Sequence, residues 1–334
     1  MKRVLVLNVL SIVAAIFLVV GSAPAAPFIG INYGPFHLPG QNPGTFVPDS
    51  QIISDLGIIS QHFTLIKTYG DDKASNLYNV VPLATAHYPQ LKVYQGVYES
   101  PQYNSSADTT YLDNAITLAN TYANTVSAVV VGNECLPGDA NPPISPEQLI
   151  ADLQYVKSRL KNGSTKVTTS LSYQGAQNYG QQLKPYCDLM LVNIYPFYGK
   201  VSIDNNAAIM NLIQAYNNFN QQFNGKQVII GETGWPSAGN PDGAAIPSVP
   251  NEETFTRQIF ANANQLGSTF IFEAFDEPWL IIQNSIGPHW GLWFSDGTPK
   301  FPLTTNLGAG TQAINKGAGS HDYRISPVPK KPKP

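Results

Sequence analysis

The chain of 334 residues is 43% hydrophobic, long enough to bury a large core, and only 12% charged, about half the share of an average soluble protein. A formal net charge of −3 leaves no electrostatic footprint for nucleic acid or for an anionic lipid surface. Asn, Gln, Ser, Thr and Tyr carry the polarity instead, a surface chemistry suited to neutral, hydroxyl-rich ligands.

Lys2 and Arg3 precede an almost wholly apolar run from Val4 to Val20, and Ser22-Ala-Pro-Ala-Ala26 supplies small residues for cleavage. This layout predicts a secretory signal peptide over residues 1–26; the competing reading is an uncleaved anchor. The expected product is a secreted protein, extracellular or periplasmic, with no membrane attachment after cleavage. From residue 28, short β-rich runs alternate with helical patterns. Strands are predicted at 28–34, 65–70, 92–98, 128–134, 166–172, 189–197, 227–234 and 270–277. Several are continuous apolar runs, such as Ala128-Val-Val-Val131 and Val228-Ile-Ile230, as expected where both faces of a parallel strand are covered. Helical spacing of apolar residues marks 51–62 and 203–223, and 251–266 is a further helix candidate. Ser145-Pro146-Glu147-Gln148 reads as an N-cap with Pro in the first helical position. Eight β/α repeats predict one α/β domain, a (β/α)8 TIM barrel over residues 27–314, with a weak last helix. The Gly/Pro/Lys-rich tail over 315–334 cannot bury a core and is expected to be disordered.

In such a barrel the site lies at the C-terminal ends of the strands. Those ends carry Tyr33, Tyr69, Asn133, Glu134, Tyr195, Glu232, Glu273, Asp276 and Glu277. Glu134 and Glu232 directly follow long apolar strands, where a carboxylate is costly unless solvated, paired or used. One such acid would read as structural; two, on strands four and seven, point to chemistry. The five histidines have no metal-ligand spacing, so neither a metal nor another cofactor is expected. Cys135 and Cys187 are too few for a disulfide scaffold and are expected to stay unpaired. Paired carboxylates without a metal or a catalytic His or Cys fit glycoside hydrolysis, one protonated to help the leaving oxygen, the other ionised to meet the anomeric carbon. Phe36, Phe197, Tyr198, Trp290 and Trp293 could stack on pyranose rings, but Trp235 and Trp279, at strand ends, are the favoured platforms.

Val131-Gly-Asn-Glu134 and Gly231-Glu-Thr-Gly-Trp-Pro-Ser237 resemble glycoside hydrolase family 17, the β-1,3-glucanase and β-1,3-glucanosyltransferase family. Gly30-Ile-Asn-Tyr-Gly34, Asn193-Ile-Tyr-Pro196, Phe272-Glu-Ala-Phe-Asp-Glu-Pro-Trp279 and His289-Trp-Gly-Leu292 extend the resemblance over nearly the whole domain. It implies a retaining mechanism on β-1,3-linked glucan, with Glu134 as acid/base and Glu232 as nucleophile. It further implies that Asn133 contacts the sugar 2-hydroxyl and Tyr195 bonds the nucleophile, while Tyr33, Tyr69, Trp235 and Glu277 line the cleft. Leu280 and Gly287 depart from the family pattern, which places a Lys and a Glu there, so Glu273 and Glu277 lack that lysine. The partner expected is a β-glucan, taken by a monomer. Hydrolysis and transglycosylation share both acids and stay open as alternatives; a glucan-binding protein without catalysis is the more distant one.

Overall fold

The computed structural model describes residues 27–101, 109–139, 142–281 and 285–303. The expected signal peptide and tail lie outside these residues. Eight parallel strands close into a barrel in sequence order. They are β1 (Ile29–Asn32), β2 (Leu65–Lys67), β3 (Lys92–Val97), β4 (Val126–Asn133), β5 (Lys166–Leu171), β6 (Met190–Asn193), β7 (Val228–Thr233) and β8 (Thr269–Ile271). Among the described residues eight α-helices link them: α1 (Asp49–Ile59), α2 (Val80–His87), α3 (Thr110–Thr121), α4 (Pro146–Arg159), α5 (Tyr173–Leu183), α6 (Ala207–Gln222), α7 (Val249–Ala261) and the one-turn α8 (Ala263–Leu266). The (β/α)8 expectation holds, including the missing long helix after β8 among the described residues. The predicted strands are mostly trimmed at their C-terminal ends, because those residues leave the ladder to form the mouth. At α4, Ser145 Oγ accepts the Gln148 N–H and Pro146 occupies the first turn, as its sequence indicates. Helices α5 and α6 contain no Asp, Glu, Lys or Arg; their exposed faces carry amides such as Gln177, Asn178, Gln214 and Asn218.

Alternate residues of each strand face opposite sides of the sheet. One set, including Ile31, Ile66, Val129, Val192 and Ile230, joins the helices in the main core. The other set, Leu65, Tyr94, Ala128, Val130, Leu189, Leu191, Ile229 and Phe270, packs as a separate cluster inside the barrel. Phe270 centres it, with ring centroids 5.0 Å from Tyr94 and 5.3 Å from Phe28. Beyond this cluster, toward the C-terminal ends of the strands, the interior turns polar: Asn32, Lys67, Ser170 and Asn193 are all buried. This polar layer is the floor of the mouth.

Two strands break the period of two just below the mouth. Val130 pairs with Thr168 but Asn133 with Ser170, so β4 holds one extra residue. Ile230 pairs with Val192 but Glu232 with Asn193, so β7 does the same. Such bulges bend a strand and re-aim its side chains. Each bulge contains a glycine. Gly132 has φ +74°, a region costly for residues with a Cβ. A Cβ on Gly231 would lie 2.7 Å from Asn193 Oδ1 and 2.8 Å from Ser170 Oγ.

Phe270→Ala should lower stability by about 3–5 kcal/mol, since it empties the centre of the interior cluster. Urea unfolding followed by circular dichroism measures the loss. A cost below about 1 kcal/mol would mean the barrel interior is not the tightly packed cluster described.

Candidate active site

The β7 bulge delivers Glu232 into a ring of donors. Lys67 Nζ lies 2.9 Å from Oε1, the Tyr69 hydroxyl donates to the same oxygen at 2.9 Å, and the Tyr195 hydroxyl donates to Oε2 at 2.8 Å. Burial, and then the charge of Glu232, pushes both phenols well above their ordinary range, so they remain protonated donors. Lys67 is fully buried and also donates to Asn32 Oδ1 at 3.2 Å and Asn133 Oδ1 at 3.1 Å. Three strands thus converge on one ammonium group. A carboxylate meeting a cation and two hydroxyl donors is held in its ionised form.

The β4 bulge delivers Glu134 differently. Its φ is +50°, a left-handed conformation that costs a residue with a side chain free energy and clusters at functional sites. The main chain is pinned by its N–H to Ser170 O at 2.9 Å. Its Oε1 accepts from Asn193 Nδ2 at 2.9 Å, and Asn193 Oδ1 accepts from Ser170 Oγ at 2.8 Å. Asn193 Nδ2 is also 3.5 Å from Asn133 Oδ1. Glu134 and Glu232 are therefore joined through Asn193, Asn133 and Lys67 and face one space. Both acids add to the field that raises Tyr195 and Tyr198.

The structure gathers Tyr69, Asn133, Glu134, Tyr195 and Glu232 as the sequence suggests. Glu277 also reaches the rim, its Oε1 packed on Gly34, where a Cβ would lie 2.1 Å away. Glu273 is buried beside them and contributes to the field at Tyr69. Half-buried Trp279 packs against the main core.

Three expected cleft residues lie elsewhere. Trp235 is 1% exposed; its ring packs edge-on to Phe197, and Nε1 donates to Ile246 O at 2.9 Å, so it offers no face to a sugar. Tyr33 is also 1% exposed and donates to Asp55 Oδ2 on α1 at 2.8 Å, behind the sheet. Asp276 binds Lys300 Nζ at 2.7 Å and accepts the Gly291 N–H at 3.0 Å, which makes it a tie between segments. Phe197, Trp290 and Trp293 are buried too. Cys135 and Cys187 are buried free thiols.

Sequence reasoning missed Lys67 and Lys300. Lys67 had a signal: it shares the inward face of β2 with Leu65, where a lysine needs an anion. Lys300 had none. With Leu280 in the place of the family's lysine, the buried cations come from these two other positions, Lys67 to Glu232 and Lys300 to Asp276. Among the described residues no cluster of His, Cys, Asp and Glu is arranged to hold a metal.

A sequence profile of the BtgE/BtgC glycoside hydrolase domain matches residues 30–291. The chain is 27% identical over 281 residues to the btgC protein of Aspergillus niger; the match covers 79% of this chain and 40% of that longer protein. It is 26% identical over 276 residues to a glucan 1,3-beta-glucosidase of Candida albicans, covering 78% of this chain and 88% of that one. Among solved structures, a glycoside hydrolase family 17 beta-1,3-glucanosyltransferase from Rhizomucor miehei superposes with a TM-score of 0.67 at 24% identity, over 85% of this chain and 98% of that one. An endo-laminarinase from Formosa gives 0.64 at 19% identity, over 81% and 84%. These two share the barrel. The profile match spans most of the described domain, and on it the chain belongs to the BtgE/BtgC glycoside hydrolase domain family, within the glycoside hydrolase family 17 that its strand-end motifs resemble.

Proposed function

We propose that this protein is a retaining glycosidase acting on β-1,3-linked glucan, with Glu232 as nucleophile and Glu134 as acid/base. The observation that carries the reading is the cation and two phenols gathered on Glu232, with a second carboxylate linked to it through the same network. Glu232 has Lys67, Tyr69 and Tyr195 on its oxygens, while Glu134 takes an amide from Asn193. The acid held ionised is the one suited to attack an anomeric carbon. The other can carry a proton to the leaving oxygen and then, ionised, remove one from the incoming water. The bond from Glu232 to the anomeric carbon forms as the glycosidic bond breaks, and water later releases the sugar with retained configuration. Asn133, its Oδ1 committed to Lys67, would meet a sugar hydroxyl beside the two acids. Glu273, Glu277 and half-buried Trp279 would complete the binding surface.

The substrate class is supported by the names of relatives and by an active-site mutant of the Rhizomucor enzyme in complex with laminaritriose. Transfer to a second sugar is the alternative, favoured by the glucanosyltransferase activity named for that same neighbour; it differs only in which hydroxyl resolves the ester. Among the described residues no helix is long and apolar enough to cross a membrane. Export is read from Lys2, Arg3 and the apolar run behind them, and N-terminal sequencing of the mature protein tests it. Product analysis on β-1,3-gluco-oligosaccharides separates hydrolysis, transfer and binding alone.

Glu232→Ala should abolish turnover, and azide should restore it with inverted product, because the anion attacks from the face the carboxylate vacates. Glu134→Ala should still form the glycosyl-enzyme from substrates with activated leaving groups, and azide should then release retained product. NMR of the product anomers decides; the opposite pattern reverses the roles.

Lys67→Met should lower kcat by roughly 10- to 100-fold, the worth of one charge-assisted hydrogen bond. KM should move less, since Lys67 bonds Glu232 and two asparagines below the sugar. Steady-state kinetics on a soluble laminari-oligosaccharide checks this. An unchanged kcat would remove Lys67 from the machinery.

A further inference from the structure

A second buried lysine lies apart from the two acids. Lys300, in the segment that follows β8, has a fully buried side chain. Its ammonium gathers four pieces of chain: Ser237 Oγ after β7 at 2.6 Å, Asp276 Oδ1 after β8 at 2.7 Å, the His289 carbonyl at 3.3 Å and the Glu252 carboxylate of α7 at 3.4 Å. One cation serves two acids there. Burial pushes both carboxyls up, Glu252 well above its ordinary range, against the pull of Lys300. A charge cluster this deep is an expensive way to hold segments together, so its direction matters.

That direction is toward the nucleophile. Asp276 Oδ1, besides meeting Lys300, accepts the Gly291 N–H at 3.0 Å. The preceding residue, Trp290, accepts the Glu273 N–H on its carbonyl at 3.0 Å. Its indole is thereby held edge-on against Tyr195, with ring centroids 5.4 Å apart and planes at 77°. Tyr195 donates to Glu232 Oε2 at 2.8 Å.

We infer that Lys300 is a positioning residue for Glu232, acting through Asp276, Trp290 and Tyr195; its kinetic consequence rests on the proposed role of Glu232 as nucleophile. Without the ammonium, Asp276 has no buried counter-charge, and the turn carrying Trp290 loses one of its ties, the Asp276 bond to the Gly291 N–H. A shift of Trp290 then relaxes one wall of the packing that holds Tyr195 on Glu232. A hydrogen bond to the ionised form favours that form, so its loss shifts the titration of Glu232 upward.

The test follows the Glu232 carboxyl by 13C NMR in protein labelled at glutamate side-chain carboxyls, the resonance assigned with Glu232→Gln. Wild type is compared with Lys300→Met and with the double variant Lys300→Met/Asp276→Leu. The double variant replaces the tight pair by apolar side chains, and Glu252, which burial already pushes toward its neutral form, is left with no charge that needs a partner. In both variants the midpoint should rise by about one pH unit. The acidic limb of kcat/KM on β-1,3-gluco-oligosaccharides should rise with it, while KM stays nearly constant. Should Lys300→Met fail to fold, the double variant decides alone. A folded variant of lower melting temperature with an unmoved Glu232 midpoint overturns the inference, leaving Lys300 a clamp and nothing more. A raised midpoint in a protein that cleaves no glucan upholds the positioning and refutes the proposed activity instead.

Discussion

The ammonium of Lys67 is a full positive charge inside a β-barrel, where an unpaired ion is intolerable. It is therefore obliged to find three acceptors, and it takes them from β1, β4 and β7 as Asn32, Asn133 and Glu232. Each acceptor is fixed by the choice. Asn32 Nδ2 is left for the carbonyls of Gly231 and Ile271, which ties the β7 bulge to the floor. The amide of Asn133 is oriented with its oxygen inward. Glu232 gains a counter-charge at 2.9 Å. Removing the charge would loosen all three strands at the one level where the barrel interior is polar.

The bulges solve a separate geometric problem. A strand with strict alternation alternates its faces, so an acid following an apolar run has even odds of facing the helices. One extra residue in β4 and in β7 changes the phase after Gly132 and Gly231. The glycines are required by the bulges, one by a left-handed φ and one by the approach of Asn193 and Ser170. The motifs Val-Gly-Asn-Glu and Ile-Gly-Glu are thus backbone devices as much as carriers of carboxylates. The cost of a left-handed Glu134 is borne by a strand otherwise paired on both sides.

The barrel was legible because strands covered on both faces are continuous apolar runs, and because helices such as α4 begin with a readable cap. Glu134 and Glu232 were legible because an acid ending such a run is conspicuous. What could not be read was which side of the mouth a strand-end residue serves. Tyr33, Trp235 and Asp276 sit where site residues belong, yet a turn of backbone sends the first to Asp55, the second to Phe197 and the third to Lys300. A linear pattern carries the phase of a strand only until its first bulge. Lys300 is 24 residues beyond its partner Asp276, across an irregular stretch with no period to extrapolate. Polar networks assembled from loops leave little trace in local spacing.

Closure of the sheet ties β1 to β8, pairing Ile29 with Thr269 and Ile31 with Ile271. A ladder between residues some 240 apart is among the most non-local contacts a chain this size can make, and its loop-closure entropy must be met before the contact gives anything back. A chain growing from the ribosome therefore has two naked sheet edges until its last strand is made. Half-barrels are poor intermediates: the polar layer around Lys67 draws on strands one, four and seven, so it too stays unsatisfied until late. Such a polypeptide keeps its full set of partners waiting on its final quarter.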